Sequence, residues 1–297
     1  MKQIAFIASA ALLTLVTLAS CSREDPAGRA QRITLEAVIG APTRATTYGK
    51  SEVFNSGDQV SLYAWTGSSE FIPSDLVVGG VVNELQQNGS WKSASDMFWK
   101  NAVTPHYFLS LYPARTVTNF VADRFQLVPS NYEANDLLVA LNLDGLTASE
   151  DPVPLAFDHV MARLQVNMKF RTQWSATPKV EVKAQACTAG VINYLEGSII
   201  PDSMGSISLE TLPSPEKGYA LSCHAIMIPQ KDFRTVTLTV DGQELVFTNA
   251  SDIKLKAGKV TTINLEVGLD RIDLASDINV SEWSAAAVIE NGEAQDE

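Results

Sequence analysis

The chain reads as all-β: two β-sandwich domains in tandem behind a cleaved lipoprotein signal peptide. Three observations predict this. Apolar residues recur at every second position in short runs, glycine-containing turn pairs punctuate the runs, and no stretch after the first twenty residues keeps the 3.6-residue period of a long helix. A length of 297 residues leaves room for two domains of the usual size, roughly 100 to 200 residues each. Hydrophobic residues make up 45% and charged residues 19%, a balance that suits packed cores and not disorder.

Residues 1–20 are an address. Lys2 supplies a short positive region, and Ile4 to Leu18 form an apolar run of fifteen residues, shorter than the ~20 a spanning helix needs. Leu18-Ala19-Ser20-Cys21 places small residues before a cysteine and looks like a bacterial lipobox, so cleavage leaves Cys21 amino-terminal and acylated. Two or more acyl chains anchor a protein stably to a membrane. The alternative is a plain secretory signal with an unrelated cysteine. Residues 21–30 then form a polar tether. Within it, Ser22-Arg23-Glu24-Asp25 is either simply solvated or resembles the acidic stretch that favours transfer of lipoproteins to the cell surface.

From Arg32 to Gly40, the residues Ile33, Leu35, Ala37 and Ile39 alternate with Thr34, Glu36 and the apolar exception Val38, which predicts a strand with one buried face. Further strands are expected at 59–66, 107–112, 125–128, 137–141, 162–170 and 180–186, then at 219–228, 235–240, 244–248, 260–267 and 278–283. Asn88-Gly89, Asp241-Gly242 and Ala257-Gly258 are turn signals, and Asp241-Gly242 is the clearest hairpin. Asn131 to Leu138 can hold at most a helical turn. Asp151-Pro152 and Pro154 interrupt the pattern about midway, which divides the mature chain into domains at 31–154 and 155–297, the second ending in an acidic tail from Glu290 to Glu297.

Chemistry is sparse. A formal charge of -12 repels nucleic acid, and three histidines with three cysteines leave few ligands for a metal. No catalytic signature emerges: there is no Gly-x-Ser-x-Gly elbow, no phosphate-cradling loop, no His-Glu-x-x-His pair and no zinc-type cysteine doublet. Ser251-x-x-Lys254 has the spacing of a serine acylase pair but no partner motif. His106, His159 and His224 are scattered, and a structural hydrogen-bonding role is expected of each. The expectation is therefore a protein that is not an enzyme and carries no cofactor or metal; the least favoured alternative is a surface glycan-processing enzyme, whose paired carboxylates would meet only in space. Cys187 and Cys223 are a possible disulfide if their Cα atoms lie within about 7 Å; otherwise they are two small buried side chains.

Several phrases carry a family resemblance by their joint order. Ala41-Pro42-Thr43-Arg44-Ala45 precedes Phe54-x-x-Gly57-Asp58-x-Val60-x-Leu62-Tyr63; Phe98-Trp99, Tyr107 to Pro113 and Asp136 to Ala140 follow. Val153-Pro154-Leu155-Ala156-Phe157-Asp158-His159 is the strongest phrase, and Ala257-Gly258-Lys259 and Ile278-x-Val280-x-x-Trp283 complete the set. In this order the chain resembles the fimbrillin and fimbrillin-like families of Bacteroidetes surface fimbriae.

The resemblance implies transthyretin-like sandwiches delivered as a lipoprotein to the outer membrane, with other fimbrial subunits as partners in a homo- or hetero-polymer. It also implies an Arg-specific protease that cuts between Arg44 and Ala45, removes the first strand with its lipid, and opens a groove for a neighbour's terminal strand. An ordinary loop arginine is the other reading of Arg44. The donor strand would contain Ile278, Val280 and Trp283, unless Trp283 closes its own domain.

Overall fold

The structure, a computed structural model, describes residues 31–40, 53–172, 174 and 178–283. The first half of this chain forms β1 (Leu35–Ile39), β2 (Gln59–Thr66), β3 (Val78–Leu85), β4 (Trp91–Ser93), β5 (His106–Tyr112), β6 (Asp123–Gln126), the single turn α1 (Tyr132–Asn135), β7 (Leu138–Leu146) and β8 (Val153–His159). The second half forms β9 (Ala162–Phe170), β10 (Val180–Asn193), β11 (Ser198–Thr211), β12 (Leu221–Met227), β13 (Gln230–Val240), β14 (Gln243–Leu255), β15 (Lys259–Val267), β16 (Ile272–Leu274) and β17 (Asn279–Glu282). The fold is all-β, as its alternation predicts.

Seven strands make the first sheet, in the order β1-β8-β7-β5-β2-β3-β4. Only its β1–β8 pair is parallel. The chain just before β1 also pairs with the chain just after β4: Ile33 N donates to Met97 O at 2.9 Å and Trp99 N to Gln31 O at 3.0 Å. These bonds draw the two edges of the sheet together around a core that includes Ile33, Leu35, Leu62, Trp99, Phe108 and Phe157. β2 is buried almost throughout because both its faces are covered: Val60, Leu62 and Ala64 face this core, while Tyr63 and Trp65 face the second domain.

The remaining strands form a sandwich. One layer runs β14-β13-β10-β11 and the other β11-β12-β9-β15-β16, with β11 passing between them and β17 added to β15. Leu164, Val166 and Met168 of β9 meet Val182, Val236, Leu238, Ile263 and Leu265 in the core. The Asp241-Gly242 hairpin joins β13 to β14, and both its central residues have positive φ, 47° and 89°, as the type I′ turn that matches strand twist requires. A third cluster fills the junction, combining Tyr63, Trp65 and Leu109 with Ile192, Tyr194, Ile226 and Trp283. β6 crosses over to pair with β10.

The chain passes from the first sheet to the second between His159 and Ala162. The strand beginning at Val153 thus lies in the first sheet, with Pro154 inside it. Val153, Leu155 and Phe157 of this strand alternate into the first core.

Phe157 is fully buried and meets Phe54 edge-to-face at 5.2 Å. Phe157→Ala is expected to cost about 3–5 kcal/mol in urea unfolding. Val246→Ala, on an exposed face of β14, is expected to cost less than about 1 kcal/mol.

Candidate functional site

Two terminal strands and the β8 segment between them form the site. β1 has one ladder, a parallel one, from Leu35 opposite Val153 to Ile39 opposite Phe157. Among the described residues its other long edge has no strand partner. Ile33 and Leu35 are buried, Ala37 and Ile39 pack partly against the same core, and Glu36 faces solvent. Burying two such aliphatic side chains stabilises the seat by about 3–6 kcal/mol. Without β1, the edge of β8 and an apolar slot floored by Val153, Leu155 and Phe157 would be open. Arg44 and Ala45 lie outside the described residues, as does Cys21.

At the other end, β17 pairs antiparallel with Lys259–Thr262 of β15. Ile278 packs partly against the second core, and Val280 is exposed. Trp283 is buried in the junction cluster, and its N–H donates to Gly258 O at 2.9 Å. Its ring stacks on His159 with centroids 3.9 Å apart and planes 12° from parallel. The Nδ1 of His159 is 2.8 Å from Oδ1 of Asp136, the residue that ends α1, while its Nε2 is buried without a partner. Reading the sequence missed this trio, since only Asp158 stands beside His159 and the true partners are remote in the chain.

His224 lies close by on β12, stacked on Tyr132 at 4.3 Å. Burial and then Arg163 hold its pKa down at about 4. It is the cross-strand neighbour of Glu210, beside a cleft of about 90 Å³. His106 is buried, with Nδ1 2.8 Å from Thr104 O and Nε2 accepting from Lys100 N at 3.0 Å, and burial lowers its pKa. A second recess, of about 240 Å³, lies beside Tyr112, whose hydroxyl sits between Asp58 and Glu133 at 3.4 and 3.3 Å. Ser251 and Lys254 are both exposed on β14, in and beside the irregular stretch where its ladder to β13 jumps from Thr248 to Ile253. Among the described residues no group of three or more His, Cys, Asp and Glu is placed to hold a metal.

The possible disulfide is not formed: Cys187 and Cys223 are both free. Cys187 faces the junction, where its Sγ lies 3.3 Å from the sulfur of Met204, and Cys223 faces the interior of the second sandwich beside Thr211. Strand direction sends the two thiols into different cores, and burial pushes the pKa of each upward.

Against known proteins, the sequence profile of the fimbrillin-like family matches residues 43–283. No curated protein sequence matches the chain. A candidate cell adhesion protein from Bacteroides uniformis has a similar structure, with TM-score 0.66 and 18% identity over 85% of this chain and 98% of its own. A second, from Bacteroides ovatus, gives TM-score 0.65 and 14% identity over 86% and 99%. A fimbrial protein from Bacteroides vulgatus gives TM-score 0.52 and 14% identity over 86% and 100%. At these identities the likeness is one of fold.

The depressed pKa of His224 has a consequence for stability. An unfolded histidine titrates near 6.5 and the folded one near 4, so between these values the unfolded chain binds the extra proton and stability falls as pH falls. Urea titrations from pH 7 to 4 are expected to show His224→Phe losing less stability than the parent across that window.

Proposed function

Since this chain belongs to the fimbrillin-like family, we propose that it is a structural subunit of cell-surface fimbriae that serves adhesion and is assembled by proteolysis-triggered strand exchange. Export through the signal and acylation at Cys21 deliver it to the outer membrane as a lipoprotein. An Arg-specific protease then cuts between Arg44 and Ala45, which detaches β1 together with the tether and the lipid. Arg44 follows the last residue of β1 by five positions, so the cut falls just beyond the strand that is to leave.

The observation that carries this reading is the seat of β1. It is an edge strand with a single ladder, its side chains are buried in an apolar slot, and no hairpin ties it to its partner. An incoming strand with the same alternation would recover the ladder and refill the slot, so β-augmentation by another subunit replaces what the cut removes. Family membership and the likeness in fold to a fimbrial protein from Bacteroides vulgatus support the same assignment. The segment containing Ile278, Val280 and Trp283 is the donor in this scheme.

One observation favours a second reading. β17 is docked on its own domain with Trp283 buried, which suits a permanently lipidated anchor or binding module that keeps its terminal strand at home.

Mass spectrometry of protein from assembled fimbriae separates the two. The subunit reading expects an amino terminus at Ala45, and the anchor reading expects an acylated Cys21 on an uncut chain. Arg44→Ala is expected to abolish incorporation and leave the full-length chain with the membranes; fimbriae that form normally from this variant would remove cleavage as the trigger.

A further inference from the structure

We propose that the stack of His159 on Trp283 is a latch, and that through β8 it couples the amino-terminal edge strand to the carboxy-terminal strand, so that loss of β1 loosens the seat of β17. The use of such coupling rests on the assembly reading above, but the coupling itself is a property of the single chain.

Apart from Ile278, which precedes it and packs partly against the second core, β17 has little to hold it without a latch. All four of its residues are exposed, so against β15 it has main-chain bonds but no buried side chain. The ion pair between Lys259 and Glu282 is largely exposed, and pairs of that kind contribute at most about 1 kcal/mol. Trp283, only 8% exposed, is the first buried anchor after the strand.

Besides its place in the junction cluster, Trp283 has two specific restraints that meet at one end of β8. His159, the last residue of β8, supplies the stacking face, and its side chain is 7% exposed and fixed by Asp136. The backbone of Trp283 is held by Gly258, whose own N–H donates to Met161 O at 2.9 Å, two residues beyond β8. Both restraints therefore follow the position of residues 159–161.

That position depends on what flanks β8. β1 covers Val153–Phe157, whereas β7 pairs only with Phe157, Asp158 and His159. Val153 to Ala156 therefore have β1 as their only ladder partner, supplemented by one side-chain bond from Asn142 to Pro154 O at 3.1 Å. Removal of β1 leaves β8 as the new edge, held by three residue pairs and, just past its end, by Val160 N donating to Leu137 O at 3.0 Å, and the three pairs include the residue that carries the latch. Local opening follows the number of such restraints. An intact β1 thus keeps the terminal strand docked, and a detached β1 makes it available.

Coupling between two sites is reciprocal, which allows it to be read in the uncut, unassembled chain. Trp283→Ala is expected to speed amide exchange not only in Asn279–Glu282 but also in Leu35–Ile39, by about fivefold or more, the lower end of the usual range of coupling (roughly 5–150-fold). Val280→Ala, an exposed position on the same strand, is expected to leave β1 unchanged. His159→Phe, which keeps a stacking face but loses the bond to Asp136, is expected to give an intermediate increase. Faster exchange confined to β17 in Trp283→Ala would overturn the proposal. If that variant also speeds exchange in β13, the milder His159→Phe decides: increased exchange in β1 with β13 unchanged supports the latch, and unchanged β1 overturns it. Cleavage plays no part in this measurement, so its result stands apart from that of Arg44→Ala.

Discussion

Parallel neighbours in a sheet cannot be joined by a hairpin, and the β1–β8 ladder accordingly pairs residues from opposite ends of the first domain. Between them, β2, β3, β4, β5 and β7 pair antiparallel within the sheet, while β6 pairs with β10 of the second. β1 is therefore attached to the domain by one ladder, an apolar slot and, just before it, the bonds of residues 31–33 to 97–99, and by no turn. Such a strand can leave along the edge without unthreading any other, while the strands that remain keep their register.

A second constraint is the way the two domains share a core. The junction cluster takes Tyr63, Trp65 and Leu109 from the first sheet and Ile192, Tyr194 and Ile226 from the second domain. Polar bonds reinforce it: the hydroxyl of Tyr63 donates to Arg115 O and accepts from Val117 N, both at 2.8 Å, and the hydroxyl of Tyr194 donates to Asp123 at 2.6 Å. Aromatic bodies with satisfied polar tips make a stiff interface. Stiffness here matters for the terminal strands, because β8 leads directly into this cluster through Val160 and Met161, and Trp283 enters it from the other side.

The three histidines are built into the packing of the strands. His106 is engaged at both ring nitrogens, His159 is stacked and bonded to Asp136, and His224 lies against Tyr132 and Arg163. Asp58, near the hydroxyl of Tyr112, also accepts from Asn55 N at 2.6 Å and so closes its own turn. These groups hold strands and turns in place.

By itself the sequence determined the fold class, because alternation at 33–39, 162–170 and 260–267 leaves one face to bury and a strand is the only element with that period. It determined the Asp241-Gly242 hairpin for an equally local reason, the need for positive φ. Strands lacking a clean local signal were not legible: Val78–Leu85 contains Gly79 and Gly80, and Ser198–Thr211 contains Pro201 and Gly205, yet both pair because their neighbours supply ladders. The pattern also could not say which sheet the Val153 phrase would join, or that Cys187 and Cys223 would face different cores. The parallel seat of β1 and the meeting of Asp136, His159 and Trp283 were decided by the tertiary structure alone. Periodicity reports which face of a strand is buried, but it carries no information about which distant strand lies beside it.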